Sequence, residues 1–125
     1  MKNLLLLPLL LVTYFCLSQD AKAIIGKPIT IGNLLVAQND FPKQMKWQDA
    51  KKACENLGRG WRLPTKDELH ILYQNYVKIG VYSNNFYWSS TEFVFESACL
   101  QYFGNGGQLY INKSSTNYVR AIRAF

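Results

Sequence analysis

Few residues in this chain have the types and spacing that enzymatic chemistry needs. His70 is the only histidine, so a Ser–His–acid triad would have to use it, and nothing in the sequence places it near Ser89 or Ser90. The CxxC and HExxH spacings of common metal sites are absent from the sequence. We therefore expect no catalytic residue, no metal site and no cofactor, and we expect His70 to be exposed on a helix.

Basic and aromatic side chains offer a different chemistry, the binding of an anionic ligand. The sequence has 14 Lys and Arg against 8 Asp and Glu, which gives a net charge of +6. Fixed positive charge attracts polyanions, and aromatic rings can add stacking or cation–π contacts. The candidate ligand-binding residues are Lys51, Lys52, Arg59, Lys113, Arg120, Arg123, Tyr110 and Tyr118.

The lysines among these candidates also have a simpler interpretation. Lys51 and Lys52 lie on the polar side of a predicted helix, close in sequence to Lys43, Lys46 and Arg59. A solvated helix face explains such a cluster more often than a binding site does. Both interpretations stay open at the level of sequence.

The arginines and aromatic residues near the C-terminus are similarly open. Arg120 and Arg123 fall on different faces of a predicted strand, so each could either bind a ligand or form a structural pair. Tyr110 and Tyr118 lie beside polar turns, and we expect them to be exposed. Core packing is the expected environment of Trp88.

The first two dozen residues have the pattern of an export signal. Lys2 supplies a positive n-region, residues 4–16 are mostly apolar, and residues 21–23 form an A-x-A cleavage site. The apolar run of about 13 residues is shorter than the roughly 20 that cross a bilayer. We expect a signal peptide over residues 1–23, no transmembrane span after its removal, and a location that is secreted, periplasmic or at the cell surface.

The remaining residues, 24–125, are expected to form a single domain. Removal of residues 1–23 takes away Lys2, Lys22 and Asp20 and leaves a net charge of +5. Two alternatives to cleavage after Ala23 are cleavage after Ser18 and lipidation of Cys16, although Tyr14 and Phe15 are bulky where lipidation signals carry small residues. Cleavage after Ala23 or after Ser18 leaves two cysteines, Cys54 and Cys99, and this even number permits one disulfide in an oxidising compartment.

Two helices should form the scaffold. Trp47, Ala50, Cys54 and Leu57 recur at helical spacing up to Gly58, which predicts an amphipathic helix. The second helix begins with a T-x-x-E capping box, in which Thr65 and Glu68 satisfy each other's backbone N–H groups. Its apolar face is predicted to carry Leu69, Leu72, Tyr73 and Tyr76, and it should stop near Gly80.

The loop before the second helix carries the segment GWRLPT, which comprises Trp61, Arg62, Leu63, Pro64 and Thr65. Arg62 could face a ligand. The favoured interpretation is a structural arginine held by Glu68, by Glu92 or by backbone carbonyls.

Short strands account for the rest of the domain. Gly32-Asn33 splits residues 29–38 into two strands and a turn. Later strands are predicted at residues 86–89, 98–103, 108–112 and 118–125. The last strand lacks clean alternation of apolar and polar residues, so it should be covered on both faces for part of its length.

Five blocks of the sequence recur in this order in a known domain family: WQDAKKACENLG, GWRLPTKDEL, YWSSTE, YFGNGGQ and YVRAIRAF. With them, residues 29–125 resemble the family named after the C-terminal domain of the Legionella collagen-like protein, the Lcl C-terminal domain family. GWRLPT followed by a capped helix is quite specific, and the ordered recurrence of the later blocks strengthens the resemblance.

The resemblance implies an α+β fold, C-type-lectin-like, with two helices packed on short, mainly antiparallel strands. It also implies a relation to formylglycine-generating enzymes, but Cys54 does not match their reactive cysteine pair, and the EPN and WND signatures of calcium-dependent lectins are absent. Many family members pair the first-helix cysteine with one in the last strand, where this chain has Ala121. The resemblance therefore implies that Cys99 is the partner of Cys54.

Two classes of function follow. For the namesake domain the family suggests binding of sulfated glycans, so the first hypothesis is a non-catalytic module for an anionic polysaccharide. The second is a structural or protein-interaction domain that binds a surface protein. Nucleic acid is not an expected partner, and the oligomeric state is open. Five or more basic side chains beside exposed tyrosines on one face would favour the first hypothesis, whereas scattered charge would favour the second.

Overall fold

A computed structural model describes residues 20–81 and 84–125 of the chain. The apolar part of the predicted signal peptide, with Cys16, lies outside the described residues. Residues 20–25 are helical (α1). No helix within the described ranges has both the length and the apolar character to cross a membrane.

The first sheet joins the two ends of the domain. Its strands are β1 (Ile29–Ile31), β2 (Leu34–Val36) and β6 (Ile122–Ala124), in the order β1–β2–β6, and both pairings are antiparallel. The turn between β1 and β2 is at Gly32-Asn33 as predicted, and Gly32 has a φ of 58° that a residue without a Cβ adopts readily.

Helix α2 (Trp47–Glu55) forms where the apolar spacing predicts it. It buries Trp47, Ala50 and Cys54 on one face, and the chain then turns through Gly58. Because three of its nine residues are buried on one side, the remaining polar residues are directed to solvent.

The capping box of the next helix, α3 (Lys66–Gln74), is confirmed. Thr65 Oγ1 accepts a hydrogen bond from the Glu68 N–H at 3.2 Å, and Glu68 Oε1 accepts from the Thr65 N–H at 2.9 Å. Leu69 and Leu72 are buried as predicted, whereas Tyr76 is exposed. The helix breaks at Asn75, and a short helix α4 (Tyr76–Ile79) turns Ile79 into the core instead.

The second sheet consists of β3 (Phe86–Glu92), β4 (Ser97–Tyr102) and β5 (Gln108–Asn112) in sequential antiparallel order. The register shifts between Trp88 and Glu92, which is a bulge in β3. At the bulge, the Ser90 N–H donates to the Pro64 carbonyl at 2.7 Å. The bulge thus ties the GWRLPT loop to the sheet.

Two apolar clusters form the core. One contains Trp47, Ala50 and Cys54 of α2 together with Trp88 and Leu100 of the second sheet. The other contains Leu69 and Leu72 of α3, Tyr87 and Phe103 near the same sheet, and Ile122 of β6. Since side chains alternate along strands, α2 and α3 cover opposite faces of the β3–β4–β5 sheet.

The predicted last strand is only partly a strand. Its first half bonds to several segments instead of one, since the Val119 carbonyl accepts from the Phe41 N–H and the Ala121 carbonyl accepts from the Ala37 N–H. Residues 119–122 are nevertheless all buried, so this segment is covered on both faces as predicted. Only Ile122–Ala124 forms a ladder with β2.

Candidate functional site

The polar side of α2 presents the lysines that the sequence analysis singled out. Lys51 and Lys52 are exposed, because the buried residues Trp47, Ala50 and Cys54 hold the opposite face of the helix against the sheet. Lys46, the residue before the helix, is also exposed. Exposed lysine side chains are therefore present both at the start of α2 and along its polar side.

Lys113 extends this set of cations from the turn after β5. Its carbonyl accepts a hydrogen bond from the Trp47 N–H at 3.1 Å, which fastens the turn to the start of α2. The Nζ of Lys113 lies 4.3 Å from the centroid of the Trp47 ring, and the Nζ of Lys51 lies 5.6 Å from it. Both distances are within the range of a cation–π contact.

A groove opens beside these residues, between the start of α2 and the β3–β4 turn. Lys46, Lys113 and Asn112 line it, Phe95 stands at its edge, and Asp49 and Glu96 bring two carboxylates into it. Lys113 is partly engaged, since its Nζ donates to the Phe95 carbonyl at 2.9 Å and lies 3.6 Å from Glu92 Oε1. The groove itself is therefore mixed in charge.

Two arginines continue the positive charge at the other end of α2. Arg59 is exposed in the loop that follows the helix, and Arg123 is exposed on β6. A Cβ on Gly60 would lie 3.1 Å from Arg123 Nε, so the Arg123 side chain crosses directly over the backbone next to Arg59. Gly60 also has a φ of 86°, a conformation that favours glycine, and this explains why the loop has a glycine there.

We name this set of cations the basic track; it comprises Lys46, Lys51, Lys52, Arg59, Lys113 and Arg123. Apart from Lys113, none of its members has a carboxylate oxygen of a described residue within 4.0 Å. These cations lie along α2 and at its two ends, on a helix that also exposes the carboxylates of Asp49 and Glu55.

Arg120 does not belong to the track, and the interpretation of it as a ligand-binding residue is wrong. It is only 4% exposed. Its Nε donates to Asp40 Oδ1 at 2.6 Å, and its Nη1 donates to the carbonyls of Ala37 and Ile79 at 3.1 and 3.0 Å. Tyr87 donates to the other oxygen of Asp40 at 2.6 Å. Arg120 is thus a structural arginine whose bonding capacity is used inside the molecule.

The two candidate tyrosines have different environments. Tyr118 is half-buried, contrary to expectation, because its ring packs 5.7 Å from that of Tyr87 over the α3 side of the core. Tyr110 is exposed as expected, with its ring 5.0 Å from Phe93. Its neighbour Ile111 packs on the α2 cluster, so Tyr110 faces the other side of the sheet from the track. The structure therefore does not bring the tyrosines and the lysines together, and the criterion of basic side chains beside exposed tyrosines on one face is not met.

The GWRLPT loop has the structural role that the sequence favoured. Arg62 makes a two-pronged ion pair with Glu68, with Nη1–Oε1 at 2.7 Å and Nη2–Oε2 at 2.9 Å. These bonds from Arg62 hold the pKa of Glu68 below its usual range. Trp61, Leu63 and Pro64 are buried, as is Trp88. The motif therefore builds the start of α3.

With the geometry in place, comparisons with known proteins decide the family. The sequence profile of the Lcl C-terminal domain family matches residues 22–123. The chain belongs to the Lcl C-terminal domain family. No curated protein is significantly similar to it in sequence.

Solved structures similar to this Lcl C-terminal domain have the C-type-lectin-like fold. Botrocetin superposes with a TM-score of 0.60 and 12% identity over 80% of this chain and 98% of botrocetin. The complex of botrocetin with a von Willebrand factor A1 domain gives 0.58, again at 12% identity with the same coverage. EMS16, described as an antagonist of the collagen receptor integrin α2β1, gives 0.60 at 8% identity over 77% of this chain and 95% of EMS16.

The disulfide expected between Cys54 and Cys99 of this Lcl C-terminal domain is not formed, and both cysteines are buried free thiols. The physical reason is the alternation of side chains along β4. Ala98 and Leu100 face the α2 cluster that contains Cys54, so Cys99 between them points to the opposite face of the sheet. Burial raises the pKa of Cys54 to about 12 and also raises that of Cys99.

The sequence analysis missed the apolar turn between β3 and β4. Phe93, Val94 and Phe95 are 66%, 54% and 92% exposed. The sequence contains three consecutive apolar residues between Glu92 and Glu96, a pattern that fits neither a half-buried strand nor a polar turn, and it could have revealed this surface.

His70 is exposed on α3 as expected. Across residues 20–81 and 84–125, no group of three or more His, Cys, Asp or Glu residues could hold a metal ion.

Proposed function

We propose that this Lcl C-terminal domain is a non-catalytic binding module that binds anionic, for example sulfated, polysaccharide through its basic track. The observation that carries the proposal is that Lys46, Lys51, Lys52, Arg59 and Arg123 have no carboxylate of a described residue within 4.0 Å. Such cations can pair with ligand charges without first breaking an internal ion pair.

The arrangement of the track favours a polymer over a small anion. An α-helix rises about 1.5 Å per residue, so the span from Lys46 to Lys52 extends about 9 Å, and Arg59 and Arg123 continue beyond the end of α2. Cations spread along a surface in this way contact successive charged groups of a chain. Each exposed pair contributes little, so the affinity depends on several pairs acting together.

The solved neighbours give separate support for a binding role. Botrocetin forms a complex with a von Willebrand factor A1 domain, and EMS16 is an antagonist of an integrin. These binding partners are properties of botrocetin and EMS16 and are not assigned to this chain. What supports the proposal here is that a domain of this fold can act by binding alone.

The experiment is a titration of the purified protein with heparin, a sulfated polysaccharide, at several salt concentrations. We expect the Lys51→Glu/Lys52→Glu variant to lose at least about tenfold in affinity, equivalent to about 1.4 kcal/mol. The matched control is Lys27→Glu/Lys78→Glu, which makes the same change in charge at exposed positions outside the track. Affinity should fall steeply with salt, because screening acts over about 8 Å at physiological ionic strength.

Equal losses in the two double variants would contradict the proposal, since net charge alone would then explain the binding.

The apolar turn Phe93–Phe95 favours a second candidate function, the binding of a surface protein. In that case Phe95→Ser should abolish binding to the partner while leaving heparin binding unchanged.

We further propose that the domain is exported and begins at Ile24. The Ile24 carbonyl accepts from the Asn39 N–H at 3.1 Å and the Ile25 carbonyl accepts from the Gln38 N–H at 2.9 Å. Cleavage after Ala23 would keep these two bonds and would remove a third, from Asn39 Nδ2 to the Ala23 carbonyl at 2.8 Å. N-terminal sequencing of protein recovered outside the cytoplasm should give Ile24. An intact Met1 or a lipidated Cys16 would overturn this proposal.

A further inference from the structure

Strand β5 is an edge of the β3–β4–β5 sheet, and between the flanking residues Gly107 and Lys113 it has none of the usual protective residues of an edge. Its sequence, QLYIN, has no charged residue, no proline and no glycine, and four of its five residues are exposed. Natural edge strands normally carry lysine, proline, or a bulge, because their unpaired N–H and C=O groups otherwise recruit another strand.

The ladder with β4 determines which backbone groups of β5 remain open. The Tyr102 N–H donates to the Gly107 carbonyl and the Lys113 N–H donates to the Glu96 carbonyl, one at each end of the ladder. Hydrogen-bonded pairs alternate along an antiparallel ladder, so residues 107, 109, 111 and 113 bond to β4. The N–H and C=O groups of Gln108, Tyr110 and Asn112 therefore point away from the sheet.

We propose that β5 pairs antiparallel with β5 of a second copy of this chain, about a two-fold axis at Tyr110. In this register the outward N–H and C=O groups of Tyr110 exchange two hydrogen bonds with those of Tyr110 of the partner subunit. On each side of the axis the Gln108 carbonyl accepts a further bond from the Asn112 N–H of the partner subunit, whereas the Asn112 carbonyl already accepts from Ser115 within its own chain. A six-stranded sheet results, and the edge is covered.

The side chains are self-complementary in this register. Leu109, which is 44% exposed, lies opposite Ile111 of the partner subunit on the α2 side of the sheet. On the other side, Tyr110 and Phe93, whose rings are 5.0 Å apart, meet their counterparts across the axis and form a cluster of four aromatic rings. Directly opposed apolar and aromatic pairs are the ones that stabilise a sheet.

Charge also permits this pairing. Lys113, which follows β5 in the sequence, lies opposite Gly107 of the partner subunit, so the two Lys113 side chains do not face each other across the axis. An interface of two five-residue strands and one aromatic cluster buries an area at the lower end of the range for specific protein–protein interfaces. We therefore expect a dimer that dissociates in the micromolar range.

The experiment is sedimentation equilibrium of the purified protein over a range of concentrations, with Tyr110→Pro as the decisive variant. Proline removes the outward N–H at this position, which β4 does not use, together with the tyrosine ring, and an edge strand tolerates proline, so the fold should survive. We expect the unsubstituted protein to reach twice the monomer mass and Tyr110→Pro to stay monomeric. Circular dichroism of the variant checks that its secondary structure is intact.

A second substitution keeps the test independent of proline effects. Tyr110→Lys places two like charges across the axis and should weaken the dimer at least about tenfold. Its control is Tyr76→Lys, since Tyr76 is 45% exposed against 42% for Tyr110 but lies on α4. A protein that is monomeric at millimolar concentration, or a dimer that Tyr110→Lys and Tyr76→Lys weaken equally, would overturn the proposal.

Cross-linking tests the register. Directly opposed residues of a hydrogen-bonded pair have Cα atoms about 5.5 Å apart, a separation that a disulfide spans. Oxidation should therefore link Tyr110→Cys across the axis and leave Tyr76→Cys unlinked. A dimer in which Tyr110→Cys does not cross-link would contradict the two-fold axis.

Discussion

Asp40 is the residue that makes a buried arginine tolerable in this fold. It accepts from Arg120 Nε and from the Tyr87 hydroxyl, both at 2.6 Å, and thereby joins the segment after β2 to β3 and to the last segment of the chain. A buried charge that loses its partner costs far more than the pair itself contributes. Burial of the ring and, to a smaller extent, the same carboxylate raise the pKa of Tyr87.

Replacing Asp40 with alanine should therefore reduce the free energy of unfolding by about 3 to 5 kcal/mol. Glu92→Ala is the control, because it removes an exposed partner of Lys113, 3.6 Å away, and should cost at most about 1 kcal/mol. Urea denaturation of both variants measures the difference. Equal and small losses would mean that Arg120 finds another partner.

The cysteines should be inert in the folded protein. Thiolate is the reactive form, and burial raises the pKa of Cys54 to about 12, so almost none of it is deprotonated at neutral pH. We expect neither Cys54 nor Cys99 to react with a maleimide until denaturant is added, and we expect mass spectrometry to find the same mass with and without reductant. Rapid labelling of the native protein would contradict the buried positions.

At the scale of a single element, the start of α3 combines a cap with an ion pair. Thr65→Ala removes the acceptor of the Glu68 N–H, and we expect it to lower the free energy of unfolding by about 0.5 to 2 kcal/mol. Ser at this position should restore most of the loss, because it keeps the hydroxyl. Thermal unfolding of the two variants distinguishes a cap from simple loss of side-chain volume.

The ion pair at the start of α3 should also make the stability of the protein depend on pH. Bonds from Arg62 lower the pKa of Glu68 in the folded state, so the unfolded state binds the proton more readily. The contribution of Glu68 is therefore fully present above its unfolded pKa of about 4.3 and is lost as pH falls through the lower folded pKa. Glu68→Gln should flatten this acidic limb in a series of melting curves. An unchanged limb would mean that other carboxyl groups produce it.

For the molecule as a whole, β6 should be indispensable. Ile122 is fully buried, and its N–H and C=O both bond to the backbone of Arg62 at 2.9 Å. Deletion of residues 122–125 should therefore abolish cooperative unfolding, whereas deletion of Phe125, which is 76% exposed, should leave it. Calorimetry of the two truncated proteins tests this, and a cooperative transition in the shorter one would show that β6 is dispensable.

Features that depend on neighbouring residues were predictable from the sequence, and features that depend on distant partners were not. The capping box and the spacing of Trp47, Ala50 and Cys54 are local, and the structure has both. Arg120 lies 80 residues from Asp40, and no local pattern reveals that pairing. The direction of Cys99 was likewise not predictable. Alternation shows that Cys99 and its neighbours point to opposite sides of β4, but only the structure shows which side α2 covers.

The β1–β2–β6 sheet also joins segments that are far apart in the sequence. Strand β2 pairs with β1 across a two-residue turn, but its second partner, residues 122–124, comes long after it in the chain. The entropy of closing so long a loop must be met before the contacts form. We therefore expect this sheet to be completed late in folding, and refolding to be slower than in a domain whose strands all pair with their neighbours in sequence.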